Sequence, residues 1–299
     1  MRHQFFIRPA TESERIYISL QFQCKNRVSP SGRKRSINHN GNPVRRQASK
    51  KKEAIKTESI LSELTACANP IRKAHNAAFF KTGKGEYAEG EQFVGVSVPD
   101  IRKVVARHKD LSLEATGRLL RSPFHEIRLA SLLILVEQMR QTEKRAWSQT
   151  HATAETEKTR RGIYEFYLRH TGAVNDWDLV DCSAPHITGA YLLDKDREPL
   201  YRLAQSQNLW EQRIAIVSTL AFIRKGDTAD TYALAKVLLH HPHDLIQKAV
   251  GWMLREAGKR DLTGLTAFLD HHAGEMPRTM LRYSLEKFPA DKRRHYMRR

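Results

Sequence analysis

From position 58 onward, apolar residues recur at three- and four-residue spacing, in windows separated by short polar breaks. The windows 98–107, 126–139, 160–170, 210–223, 228–240, 244–258 and 277–288 each predict an amphipathic helix. Alternating apolar and polar positions, the mark of a half-buried strand, are scarce, so the fold class is all-α. Residues 1–57 differ. They lack a sustained helical period and contain the turn-rich stretches 29–32 and 38–43 among basic clusters at 33–35, 45–46 and 50–52. Such a composition buries too little apolar surface to offset the entropy of ordering. The sequence therefore predicts a disordered basic N-terminal extension over 1–57 and a helical domain over 58–299. Arg8, Glu12, Glu14 and Arg15 interrupt the early apolar residues and argue against a signal peptide. An organellar transit peptide and a start codon further along the chain are the other readings of this stretch, and extension or misplaced start is preferred to targeting.

Several helical windows look related. The stretch 126–135 resembles 211–220, and placing Arg128 on Arg213 admits Lys248 and Arg278 as further members, at spacings of 85, 35 and 30 residues. The spacing suits helical-pair repeats of roughly 35–45 residues, the first interval spanning two of them. Equivalent helices of such a stack line one concave surface, where repeated cations make a basic track. The same cations can equally solvate helix ends, and the pattern alone does not choose.

Charge changes this picture less than its size suggests. The chain carries a formal +18 and a pI near 10.0, which favours a polyanionic partner. Residues 1–57 hold 14 Lys and Arg against 3 Asp and Glu, a balance of +11 that leaves +7 for the other 242 residues. The helical part is only moderately basic. No run of eighteen apolar residues occurs, which argues against a membrane span. Cys24, Cys67 and Cys182 are odd in number and far apart, giving neither a zinc spacing nor a disulfide framework.

The most unusual segment is 175–185, where Asp176, Asp178 and Asp181 cluster around Trp177 at a predicted helix start. An Asp there is ordinarily a cap, worth about 1 kcal/mol, and capping accounts for one of Asp176 and Asp178. Asp181 follows Trp177 by four residues, so the two side chains share a helix face and can line one pocket. Trp252 lies in a second amphipathic window beside Gly251, which lets another backbone or a ligand approach closely. Trp147 and Trp210 read as core. His240, His241 and His243 surround Pro242 at a helix-to-loop break without a ligand set of metal spacing. The Gly-rich stretch 83–90 follows no strand and reads as a loop, not a phosphate cradle. Residues 120–126 read as a loop and helix start, with no catalytic role for Glu126.

At these residues the chain resembles the AlkD-like DNA alkylation repair proteins, DNA glycosylases built from HEAT-like repeats. The resemblance covers about residues 60–297. It rests on 93–102 (FVGVSVPDIR), 175–185 (NDWDLVDCSAP), 210–216 (WEQRIAI) and 245–255 (LIQKAVGWMLR). It implies an α-α superhelical solenoid with a concave basic DNA-binding face. It also implies that Asp181 is the catalytic aspartate, with Trp177 and Trp252 as aromatic partners at the lesion. Arg213 corresponds to an arginine near the lesion and backbone, and Lys248, Arg255 and Arg128 extend the expected DNA-binding set. An aromatic residue from the first helices is also implied, and Phe79, Phe80 and Tyr87 all remain candidates.

The implied activity is monofunctional hydrolysis of the N-glycosidic bond of cationic N3- or N7-alkylated purines in duplex DNA. It would use no cofactor and no metal, in a cytoplasmic, nucleoid-associated monomer. Two other classes stay open: a non-catalytic binder of damaged or branched DNA, and a HEAT-like protein-interaction scaffold.

Overall fold

The computed structural model of the chain describes residues 43–298. Its first helix, α1 (Pro43–Ala66), crosses the boundary expected at 57/58. Glu53 accepts hydrogen bonds from the Ser112 amide and hydroxyl, at 3.1 and 2.9 Å, and Lys56 pairs with Asp110 at 3.1 Å. Residues 53–56 thus join the helical domain, which a composition-based boundary could not detect. The expectation of disorder for 1–42 lies outside the described residues.

The helices that follow begin where the sequence supplies caps. Asn69 accepts from the Arg72 amide ahead of α2 (Pro70–Phe79), Ser97 caps α3 (Val98–His108), and Ser112 caps α4 (Leu113–Leu120). Proline occupies the first turn of α2 and of α3, where its missing N–H costs nothing. Helix α5 (His125–Gln141) is buried on nearly every side along most of its length, as a helix inside a helical stack should be. A short α6 (Arg145–Ser148) and α7 (Thr153–Arg169) lead to α8 (Trp177–Ser183), which continues into a π-helical segment, Pro185–Gly189.

Beyond it lie α9 (Glu198–Ala204), α10 (Leu209–Ser218) and α11 (Leu220–Ile223). The last part of the chain forms α12 (Ala229–Val237), α13 (Asp244–Gly258), α14 (Leu262–His272), α15 (Arg278–Ser284) and α16 (Ala290–Met297). Among the described residues no strand forms, and the isolated bridge between Gln92 and Phe124 is the nearest approach to one. The protein is all-α. No helix among these residues is long and apolar enough to cross a membrane.

Helices α3, α5, α8, α10, α13 and α15 pack successively, each against the next. Others flank that row: α4 on α5, α9 on α10, and α12 and α14 on α13. Two glycines permit close approaches of neighbouring backbone. Gly95 has φ +91° and would drive a side chain into the Asn69 carbonyl. A Cβ on Gly251 would lie 2.5 Å from the Met280 carbonyl oxygen and 2.6 Å from Tyr283 Cβ. The closeness foreseen at Gly251 is therefore to the backbone of α15. Glu126, excluded from chemistry on sequence grounds, is a structural anchor: its buried carboxylate accepts from the amides of Val94, Gly95 and Val96 at 2.8–3.3 Å.

Candidate active site

Helix α8 starts at Trp177 because Asp176 is extended (φ −149°, ψ 158°) and its carboxyl accepts from the Trp177 amide at 2.6 Å. One turn later Asp181 projects toward α10. Its Oδ1 accepts from Arg213 Nε at 2.9 Å and its Oδ2 from Arg213 Nη2 at 2.8 Å. Arg213 Nη1 donates to the Leu245 carbonyl at 2.5 Å, which ties the pair to the start of α13. Arg213 is fully buried, and the Asp181 side chain is 8% exposed. A two-point guanidinium–carboxylate contact fixes the carboxylate plane, and a carboxylate offers about four acceptor positions, so two remain for other groups.

Trp177 is walled in by the N-terminal aromatics. Phe80 stacks on it at 5.3 Å between centroids, and Phe79 meets it edge-on at 5.9 Å. The Trp177 indole Nε1 donates to the Tyr87 hydroxyl at 3.2 Å, and the Tyr87 ring meets Trp210 edge-on at 6.4 Å. All three aromatic candidates of the first helices therefore gather here. Tyr87 comes from the Gly-rich loop after α2. Burial, then the negative potential of Asp176, push its hydroxyl well above the usual phenol range, so it stays protonated. Trp210 is buried as expected, while Trp147 is a half-buried surface ring stacked on His151 at 3.7 Å, because α6 lies outside the packed row.

On the other side of α8 lies a buried polar network that the sequence did not disclose. His125 Nε2 meets Asp178 Oδ2 at 2.9 Å, and His125 Nδ1 lies 3.7 Å from Glu91 Oε1. Arg128 Nη2 donates to both Glu91 oxygens at 2.7 Å and to Asn175 Oδ1 at 3.0 Å. Burial alone would lower the pKa of His125, but the charge and hydrogen bond of Asp178, with Glu91, raise it to about 10. Burial raises Glu91, yet the His125 ring 3.7 Å away and the hydrogen bonds from Arg128 outweigh it and hold the carboxyl low. Asp176 moves far upward, driven by burial and then by Asp178. Acids around a tryptophan were the available signal. Glu91 and His125 had none, lying 37 positions before Arg128 and 53 before Asp178.

The four cations expected to bind DNA divide. Arg128, Arg213 and Arg255 are buried, and Arg255 is paired with Glu286 and Glu256. Their hydrogen bonds lie within the fold: Arg213 bonds α8 and α13, Arg128 the segments before α3 and before α8, and Arg255 Glu256 and Glu286. Lys248 is partly exposed and pairs with Asp244 at 2.8 Å. The positive charge of Lys81, from the Gly-rich loop, also acts on Asp244, which sets that loop near the start of α13. Trp252 sits buried on α13, the helix packed against α10. The histidines at 240–243 end α12 and cap α13, His243 accepting from the Leu245 amide at 3.2 Å.

No curated protein matches the chain. Among solved structures, one described as "Predicted DNA alkylation repair enzyme from Enterococcus faecalis" aligns with a TM-score of 0.54 at 14% identity, covering 75% of this chain and 97% of that one. At that identity the likeness speaks for the fold. The family model described as DNA alkylation repair enzyme matches residues 60–288, the span that holds Tyr87, Trp177, Asp181, Arg213 and Trp252. On that match, the chain belongs to the DNA alkylation repair enzyme family.

Proposed function

We propose that the protein is a DNA glycosylase that removes cationic N3- or N7-alkylated purines from duplex DNA and leaves an abasic site. The observation that carries this reading is the Asp181 carboxylate, held at two points by buried Arg213 one helical turn from Trp177. A purine alkylated at N3 or N7 is already a cationic leaving group, so its departure needs no general acid. What the reaction needs is negative charge beside the oxocarbenium-like sugar and a water held for attack. Asp181 supplies the charge and positions the water. As the C1′–N bond breaks, its electron pair leaves with the base, which becomes neutral. The water oxygen then bonds to C1′, and its proton passes to Asp181 or to solvent. The aromatic ring of Trp177 favours a positive base by cation–π attraction of roughly 0.5–2 kcal/mol.

A fixed, dry carboxylate facing DNA opposes phosphate binding, so a role in binding alone does not account for it. On this reading the helical row is a HEAT-like solenoid whose groove receives the duplex. Lys81 and Lys248 at the mouth contact phosphate, and Arg213 acts through Asp181. Duplex DNA carrying 7-methylguanine, incubated with the native protein and with Asp181→Asn, tests the proposal. Abasic sites should form with the native protein and fall by about 10²–10³-fold in the variant, while DNA binding is retained. Equal product from both would remove Asp181 from the chemistry. Binding without product from either would make the protein a non-catalytic DNA binder, and no binding at low salt would leave the interaction scaffold.

A further inference from the structure

The network of Asp176, Asp178, His125, Glu91 and Arg128 has no assigned role in base removal, yet it encloses the first turn of α8, on which Trp177 sits. Four of its atoms are buried without a hydrogen-bond partner: Asp176 Oδ2, Asp178 Oδ1, His125 Nδ1 and Arg128 Nε. One oxygen of Asp176, one of Asp178 and one ring nitrogen of His125 lie within 4.8 Å of one another. Asp176 has no exposed surface at all.

Charge balance decides how such a cluster can exist. The groups facing Asp176 are Asp178 on its own helix, His125 and Arg128 from α5, and Glu91 and the Tyr87 hydroxyl from the segment before α3. Two cations, imidazolium and guanidinium, face three carboxyl groups. If all three were ionised, one negative charge would lie buried without a partner, which costs several kcal/mol. A proton on Asp176 Oδ2 removes that charge. It also provides a donor for the unsatisfied Asp178 carboxyl, an oxygen of which lies within 4.8 Å of one of Asp176.

We propose that Asp176 is held as the neutral acid, hydrogen-bonded to Asp178, and that the chain Asp176–Asp178–His125 is a positioning relay for the site. Asp176 keeps its Oδ1 on the Trp177 amide while its other oxygen is locked to Asp178. Asp178 in turn is locked to α5 through imidazolium His125, which Glu91 and Arg128 hold from behind. The two residues flanking Trp177 are thus fixed to a neighbouring helix. The indole plane, and Asp181 one turn on, inherit that fixation. The relay touches no substrate and acts through Trp177 and Asp181, so its effect on turnover rests on the glycosylase reading, while its protonation pattern does not.

Ring ¹H–¹⁵N spectra of the full chain at pH 8.5 test the protonation directly. One of the 14 histidines should carry protons on both nitrogens, should vanish in His125→Gln, and should persist in Asp176→Asn. Asn presents the same acceptor to the Trp177 amide and an N–H to Asp178, so it mimics the neutral acid. With 7-methylguanine DNA, Asp176→Asn should hold kcat within about threefold. Asp178→Asn should lower kcat by roughly ten- to a hundredfold, as expected when reacting groups are misplaced by up to an ångström, with KM little changed. Rescue of kcat by Asp178→Glu would support positioning by charge.

A neutral His125 at pH 8.5 would overturn the proposal. So would a loss of kcat in Asp176→Asn equal to that in Asp178→Asn. A stoichiometric divalent metal in the purified protein that disappears in Asp176→Asn would also overturn it, replacing the shared proton with an ion. Should the native protein release no base, the glycosylase reading fails while the spectra still decide the protonation.

Discussion

Asp178 and Asp181 stand three residues apart on one seven-residue helix and face different neighbours. Asp178 turns to α5 and meets an imidazole that is itself backed by Glu91 and Arg128, in a cluster where every member is buried. Asp181 turns to α10 and meets a single arginine whose remaining nitrogen is spent on a main-chain carbonyl. On the Asp178 side carboxyl groups outnumber cations, and proton occupancy must settle the balance. On the Asp181 side the carboxylate meets the guanidinium of Arg213 at two points. The short helix thus carries one carboxyl in a crowded, titratable cluster and another in a direct ion pair.

The largest effect should come from removing the fixed partner. Arg213→Met leaves the Asp181 carboxylate buried with no counter-charge and the Leu245 carbonyl without its donor. Chemical denaturation should show a loss of about 3–5 kcal/mol, together with loss of base release. A loss below about 1 kcal/mol would mean that the two flanks are not as different as their geometry implies.

Next in size is a pH response confined to the Asp178 flank. The pKa of His125 is raised in the fold to about 10, so its stabilisation is fully present below its unfolded value near 6.5 and is lost as pH rises through about 10. Thermal melts should therefore fall progressively from about pH 6.5 and level off above about pH 10, with the His125 part of the fall missing in His125→Gln. The opposite sign, with stability rising through pH 10, would refute an imidazolium there.

Smaller still is Tyr87→Phe, which leaves the Trp177 indole N–H without its acceptor. About 1 kcal/mol of stability should go, and kcat/KM should fall by several-fold if indole placement matters to the reaction. The smallest effect belongs to Lys248→Gln, outside both flanks. It should weaken DNA binding a few-fold for all sequences and reduce the magnitude of the salt slope by about one. An unchanged slope would remove Lys248 from the phosphate contacts.

The helical architecture was legible because apolar spacing is a local property. The window at 244–258 coincides with α13, and the windows at 98–107 and 126–139 fall within a residue or two of α3 and α5. The window at 210–223 splits into α10 and α11 at Thr219. There the hydroxyls of Ser218 and Thr219 bond back to the carbonyls of Ile214 and Ile216, a competition with the helix ladder that apolar spacing does not record. Within the site, the Trp177–Asp181 face followed from helix geometry, whereas the Asp181–Arg213 pairing spans 32 positions and could only be approached through resemblance. The buried flank escaped notice because each member has an ordinary local reading. Asp176 is indeed a cap, His125 opens a helix, and Glu91 ends a loop. The bonds of Arg128 and Arg255 were not legible for a related reason: a helical cation looks the same in sequence whether it faces a groove or is bonded within the fold.

The contact of Glu53 with Ser112 has a consequence for the order in which the molecule opens. Ser112 caps the eight-residue α4 by accepting from the Ala115 amide, and its own amide and hydroxyl are both spent on Glu53 of α1. A hydroxyl that donates to a carboxylate is left with its lone pairs turned toward the helix, so undocking α1 also loosens the first turn of α4. Native-state hydrogen exchange should therefore report a common protection factor for the Ser112 amide and the amides at the start of α4. The two helices would then form one cooperative opening unit, although 46 residues separate the end of one from the start of the other.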